Sequence, residues 1–405
     1  MVQSKDSRKR CQNNMRVRNA LIYITLICAT LPTTAGNNTL KKANSKEIKT
    51  ATKDRLIDAL DKDSIHVCLE PARPLYGEPD TLSILILGDM MLHSRQMEYD
   101  YKPFLKNIQG LIESSDIAVA NMEFTLAGKP YSGYPAFSAP DAYAEYARDC
   151  GIDIFLTANN HIADKGCKGL VRTYDVYKQM EDAGQIRFTG ISKDGLDRSE
   201  RLPLTIVRKG ISVALLNFTY GTNVPADKSW PVSVFMENDV REATSRAKTE
   251  IADFLIALPH WGLEYRLCHS DRQEVLATIL VRNGADAVVG AHPHVVQDSC
   301  HIDGKPIFYS IGNAVSNMSA ANTQLELAVR LRFTRDIDGD VRLLRPEAIF
   351  LWCSLPGKFS DNYNVIEVRK FLGKRWKWTD PSDYDKMVKT YDTVKKATGI
   401  DDSIE

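Results

Sequence analysis

The sequence predicts an α/β domain built on a largely buried sheet. Three observations lead there. Short apolar runs recur at 82–87, 117–120, 152–156, 213–218, 254–258, 287–289 and 307–311, each stopped by Gly, Asn, Asp, His or a neighbouring turn residue. Longer stretches with amphipathic spacing lie between them, at 101–113, 169–183, 240–252 and 271–283. Polar residues then gather at the ends of the runs and not along them. Continuous apolar runs of this length suit strands covered on both faces, and their alternation with helices is the α/β pattern.

The chain has 405 residues, 52 Lys+Arg against 52 Asp+Glu, 43% hydrophobic residues and 8% aromatic. This composition is that of a globular protein and excludes a disordered, collagen-like or polytopic membrane chain. The zero net charge hides an asymmetry. Residues 1–35 hold six bases and one acid, so the rest of the chain carries 46 bases and 51 acids. A mildly acidic body offers no electrostatic reason for nucleic acid as a partner.

Taken in order, the elements begin with a basic segment and the apolar run 20–31, followed by small residues up to Ala35. These predict a signal peptide over 1–35 cut after about Ala35, with translation from Met1 or Met15, and hence an exported, periplasmic or envelope-associated protein. An uncleaved amino-terminal anchor is the alternative. Residues 36–80 read as linker and lead-in, and 81–355 as the α/β domain. After Asn313 strand-like runs at 325–333 and 341–352 would extend the first sheet or make a second. Residues 356–405 read as a carboxyl-terminal extension with one amphipathic helix. Asp380 caps it, Pro381 opens it and Gly399 ends it, with Tyr384, Met387, Val388, Tyr391 and Val394 on one face. Six cysteines remain beyond the signal (Cys68, Cys150, Cys167, Cys268, Cys300, Cys353), and both disulfides and free thiols are open.

The chemistry sits where the runs stop. Gly88-Asp89 follows the first, Asn121-Met-Glu123 the second, and Asn159-Asn160-His161 the third, trailed by Asp164. His260 follows the fifth and His292-Pro293-His294 the sixth. Four of the eight histidines are in these places. Ligands of open α/β sheets bind beyond the carboxyl ends of the strands, so five strand ends deliver carboxylates, amides and imidazoles to one edge. Such a donor set suits Zn, Mn, Fe or Mg. Each piece alone has a plainer reading as a turn or a buried polar residue; the joint pattern carries the inference. Pro293 is expected to hold its neighbours extended and so fix both imidazoles. Asp164 could orient His161 or cap the helix that follows. Trp261, Tyr265 and Tyr309 could wall a pocket or belong to the core.

The segments Gly88-Asp89-Met-Met-Leu92, Asn121-Met-Glu123, Ala158-Asn-Asn-His161-Ile-Ala-Asp164-Lys-Gly166, His260-Trp-Gly-Leu-Glu264-Tyr265, Gly290-Ala-His292-Pro-His294-Val-Val-Gln297 and Tyr309-Ser-Ile-Gly-Asn313 occur over about residues 82–315. In this order they resemble the capsule-synthesis protein family of CapA type, associated with poly-γ-glutamate. The resemblance implies a calcineurin-like metallophosphoesterase fold, a four-layer α/β/β/α sandwich. It implies metal ligation by Asp89, Glu123, Asn160, His260, His292 and His294. It also implies substrate contact or leaving-group protonation by His161, with Asn313 and Tyr265 on the substrate side and Asp164 beside His161. Met91 stands where the family's first histidine would be, and His93 lies too far along to replace it in register. The implied outcome is one tight site (Glu123, Asn160, His260, His292) and a second, weak or absent, on Asp89, Glu123 and His294.

Two functions lead the expectations, ahead of an inactive descendant that keeps the metal only for structure. One is an exported metal-dependent hydrolase or phosphoesterase acting on an envelope or capsule component, with a divalent metal activating water against a phosphorus or carbonyl centre and His161 as general acid. The other is a non-catalytic accessory protein that binds an anionic capsule polymer during synthesis or export, with membrane synthesis or export proteins as partners.

Overall fold

A computed structural model of the chain describes residues 81–402, apart from 242, 245–251 and 337–338. The signal segment, the lead-in and Cys68 lie outside the described residues. The larger sheet starts with four parallel strands, β1 (Thr81–Met90), β2 (Ile117–Met122), β3 (Ile154–Leu156) and β4 (Arg187–Thr189). A two-stranded ribbon pairs β5 (Ile191–Ser192) with β8 (Ser233–Val234). The second sheet holds β6 (Leu204–Arg208), β7 (Ile211–Thr219), β9 (Phe254–His260), β10 (Ala287–Val289), β11 (Ser299–Ile302) and β12 (Lys305–Phe308), in the order β11-β12-β10-β9-β7-β6. The chain then returns to the first sheet with β13 (Asn313–Val315), β14 (Leu325–Arg335), β15 (Val341–Leu343), β16 (Glu347–Ser354) and β17 (Asn364–Glu367). β14 lies antiparallel against β1, so the strands after Asn313 extend the first sheet.

Alternation along the strands creates the layers, because successive side chains of a strand point to opposite faces. Leu82, Ile84 and Ile86 of β1 join Val213 and Leu215 of β7 and Ile256 and Leu258 of β9 in one apolar layer between the sheets. Leu85 and Leu87 turn the other way, onto Tyr143 and Ala147 of the helix Asp141–Asp149 and Leu170, Tyr174 and Tyr177 of the helix Gly166–Asp182. On the far face of the second sheet, Ala214, Leu216 and Ala257 pack on Leu276, Ala277 and Leu280 of the helix Asp271–Arg282. The order is therefore helix, sheet, sheet, helix, a four-layer α/β/β/α sandwich.

Departures from the sequence reading have local causes. The stretch 101–113 is turns, a 3-10 segment (Lys106–Ile108) and a short helix (Gln109–Glu113); Pro103 restricts its predecessor and removes a donor. The run 341–352 is two strands, parted at Pro346, which cannot donate to a ladder. The stretch 240–252 is helical at Val240, and 245–251 lies outside the described residues. The helix Pro381–Thr398 is capped by Asp380, whose side chain accepts from the Ser382 N–H, and ends at Gly399 with φ +74°. Its Met387, Tyr391 and Val394 are buried beside Phe350 and Trp352. Cys150, Cys167, Cys300 and Cys353 are free thiols.

All the parallel strands deliver their carboxyl ends to one edge, and two glycines let the backbones close there. A Cβ at Gly88 would lie 1.9 Å from the Gly312 carbonyl oxygen, and one at Gly290 would lie 2.3 Å from both the Tyr309 oxygen and Trp261 Nε1. Gly88→Ala must push β1 away from the Gly312 turn and should cost about 3 kcal/mol of stability. Urea unfolding measures it; a loss under about 1 kcal/mol would show that the close approach is dispensable.

Candidate metal centre

Asp89 is the penultimate residue of β1, Glu123 follows β2, Asn160 and His161 follow β3, His260 ends β9, and His292 and His294 follow β10. All seven side chains are buried. His292 and His294 have φ of +99° and +56°, so Pro293 does not hold them extended as its sequence suggested. Proline fixes only its own φ, and the two flanking residues adopt left-handed backbone, a strained choice for His that concentrates at functional sites.

Ligand atoms of Glu123, His292 and His294 lie within 4.8 Å of one another. His260 Nε2 stands 2.7 Å from Asn160 Oδ1 and 3.5 Å from Glu123 Oε1. Rings of His260 and His292 are 4.8 Å apart. Among the described residues neither oxygen of Glu123 nor Nδ1 of His292 has a hydrogen-bond partner, though all three are buried. A buried carboxylate without a partner carries a penalty of several kcal/mol, and buried polar atoms are almost always satisfied. Carboxylate, amide and imidazole donors fit a divalent cation, which would supply the missing partner.

Asp89 is placed differently. Its Oδ1 accepts from Asn121 Nδ2 at 2.6 Å and its Oδ2 from the His292 N–H at 3.2 Å. His294 Nδ1 is 3.6 Å from the same Oδ2 and 2.9 Å from Asn313 Oδ1. Asn313 is buried, and its Nδ2 donates to the Thr323 carbonyl. Both Asp89 oxygens thus already have donors, in contrast to Glu123. Met91 packs in the helix-side core. His93 lies outside the Glu123–His292–His294 group, with Nδ1 3.0 Å from Gln96 Oε1 and its ring edge-on to Phe137.

The electrostatics follow from burial. Burial, helped by the charges of His294 and His161 against the pull of Asp89, lowers His260 to about 3. Burial, with His294 and His161 nearby, holds His292 well below the usual range. Both are therefore neutral, the form that ligates. Burial, with Glu123 nearby, raises Asp89 to about 6, and burial raises Glu123 as well. His161 goes the other way. Burial works against its charge, but the hydrogen bond to Asp164 and the charges of Glu123, Asp164 and Glu264 outweigh it and raise the imidazole.

His161 Nδ1 donates to Asp164 Oδ2 at 2.7 Å, and the same oxygen accepts from the Phe137 N–H at 2.9 Å. Asp164 makes no cap, since the helix Gly166–Asp182 starts from Lys165 without a side-chain bond. Trp261 and Tyr309 are core residues of the outer layer. Tyr265 is 45% exposed and stands 6.3 Å from the His294 ring. The sequence pointed to Asn159 as part of a strand-end motif and to the loop 217–223 as a substrate-side candidate, and their amides brace the site. Asn159 Oδ1 accepts from the His161 N–H and its Nδ2 donates to the Met122 carbonyl. Asn217 Oδ1 accepts from the N–H groups of Thr157 and Ala158, and the Asn223 N–H donates to the Asn160 carbonyl.

Replacing Glu123 should have two opposite effects. Glu123→Gln removes an unpartnered buried charge, so the metal-free protein should gain stability. The rise in melting temperature on adding saturating Zn or Mn, worth about 3 kcal/mol at a hundredfold excess over Kd, should vanish. Asp89→Asn should keep most of that rise. Equal losses in the two variants, measured by thermal unfolding, would contradict the distinction drawn between the carboxylates.

Residues 83–318, more than half of the chain, match the family described as Bacterial capsule synthesis protein PGA_cap. The chain is 28% identical over 265 residues to the Capsule biosynthesis protein CapA of Bacillus anthracis, covering 62% of this chain and 63% of that one. It is 27% identical over 194 residues to the PGA biosynthesis protein CapA of Bacillus subtilis (strain 168), covering 47% and 50%. It thus spans between half and two thirds of the length of these curated relatives. Among solved structures it is similar to NAD nucleotidase (NadN) of Haemophilus influenzae, at 13% identity and a TM-score of 0.44, covering 81% of this chain and 65% of that chain. The family match runs over every strand end that builds the site, from Asp89 to Asn313, and the chain belongs to the bacterial capsule synthesis protein family.

Proposed function

We propose that this protein is an exported, metal-dependent hydrolase with a phosphoesterase-like site, acting on a cell-envelope or capsule component of poly-γ-glutamate type. One observation carries the reading. The unpartnered Glu123 carboxylate lies among neutral imidazoles, and beside them stands a proton-holding His161 fixed by Asp164. A metal kept only for structure has no use for such a dyad. The basic segment and apolar run at residues 8–31 support export.

Glu123, Asn160, His260 and His292 would hold the tight metal, with His294 at its flank and Asp89 as the weak second position's carboxylate. When bound, a divalent cation supplies charge that polarises the electrophilic centre and acidifies water. The chain's own residues do the remainder. Asp164 takes the Nδ1 proton of His161 in a hydrogen bond and so leaves Nε2 for the substrate. The hydrogen bond to Asp164 favours the protonated imidazole, which can pass a proton to a leaving group. Phe137 packs edge-on against the His161 ring at 4.7 Å and helps fix its orientation.

A second reading is supported by Met91 and by the two donors on Asp89. With one metal position impaired, the protein would hold an anionic polymer for membrane synthesis or export partners without turnover. A screen over phosphodiesters and γ-glutamyl peptides decides. His161→Ala should keep its metal and lose turnover by roughly 10²–10⁴-fold. Turnover unaffected in His161→Ala, or none in the metal-loaded wild type, would favour polymer binding alone.

A further inference from the structure

Three exposed tyrosines ring the buried centre, each over a different imidazole. Tyr220 lies 4.7 Å from the His292 ring, Tyr265 6.3 Å from His294 and Tyr134 6.5 Å from His161. They are 42%, 45% and 72% exposed, although the imidazoles beneath them are buried. They come from separate parts of the chain: the loop before Phe137, the end of β7 and the loop after β9. The carboxylate of Glu264, exposed beside Tyr265, joins them. It is within hydrogen-bonding reach of the Tyr265 hydroxyl, and burial together with the Glu264 charge raises Tyr220 and Tyr265. None of the ion pairs among the described residues uses it. The mouth is thus a set of aromatic faces with one unneutralised negative charge above a centre that itself holds two buried carboxylates.

We propose that Glu264 with Tyr134, Tyr220 and Tyr265 receives an ammonium group of the substrate next to the metal centre. This rests on the reading of that centre as a metal site acting on a γ-glutamyl polymer, and adds that the free amino end enters first. A cation gains from the carboxylate and from the ring faces together, since tyrosine faces attract cations within about 6 Å. A substrate carboxylate at the same place would meet like charge, so an internal stretch of an anionic polymer is disfavoured there. A chain end with a free amine fits, and the anionic groups behind it stay outside.

The test uses the zinc-loaded full chain and two forms of tri-γ-glutamate, one with a free amino terminus and one acetylated, titrated calorimetrically. The free-amine form should bind about tenfold tighter, and Glu264→Gln should bring the two within about twofold at unchanged metal content. Tyr220→Leu should weaken the free-amine form more than the acetylated one. Equal affinities in the wild type, a preference that survives Glu264→Gln, or no binding of either peptide would overturn the proposal. Metal content of the same samples separates the two failures. A wild type that holds no zinc defeats the reading of the centre, whereas a zinc-loaded wild type without the preference defeats only the amine site.

Discussion

Glu123 is buried at the meeting edge of two sheets with no hydrogen bond to either oxygen, and the rest of the site is arranged around that carboxylate. Leaving it bare disfavours the fold by several kcal/mol. The surroundings do not relieve it with amides, as they do for Asp89, one strand away. They present imidazoles that burial keeps neutral and an Asn160 oxygen already close to His260 Nε2. A protein that satisfies one carboxylate fully and leaves its neighbour unpaired has distinguished the two, and a cation is the partner that the unpaired one matches. The glycine contacts serve the same end, because Gly88 and Gly290 let β1 and β10 approach the turns closely enough for the donors to converge.

Much of the fold could be read from the residues. The alternation of apolar runs gave both sheets' inner strands, and the Asp380, Pro381 and Gly399 signals marked a helix whose caps are as expected. What escaped was weakly encoded. The helix Asp141–Asp149 buries Tyr143, Ala144, Tyr146 and Ala147, a face of alanine and tyrosine with little apolar contrast. β4 and β17 have three and four residues and are defined by the strands they pair with. Whether the late strands made a new sheet depended on β14 finding β1 across more than two hundred residues, which no local pattern encodes.

The candidate metal donors were legible for a physical reason: each strand end announces its own chemistry in sequence, and parallel strands must bring those ends together. The two meanings of Asp164 could be separated only in three dimensions, where His161 and Phe137 claim one of its oxygens. The mouth was less legible. Tyr134 reaches His161 from a loop rich in proline and glycine, and Tyr220 follows a run whose end carries no obvious ligand. Exposed aromatics become informative only once the buried imidazoles beneath them are located.

The central claim, one tight metal centred on Glu123, is tested most directly by anomalous diffraction from crystals of the protein grown with manganese. The account predicts one strong peak within ligand distance of Glu123, flanked by His260 and His292, and at most a weak second peak toward Asp89. Two peaks of equal height, or a bound metal that does not touch Glu123, would contradict it.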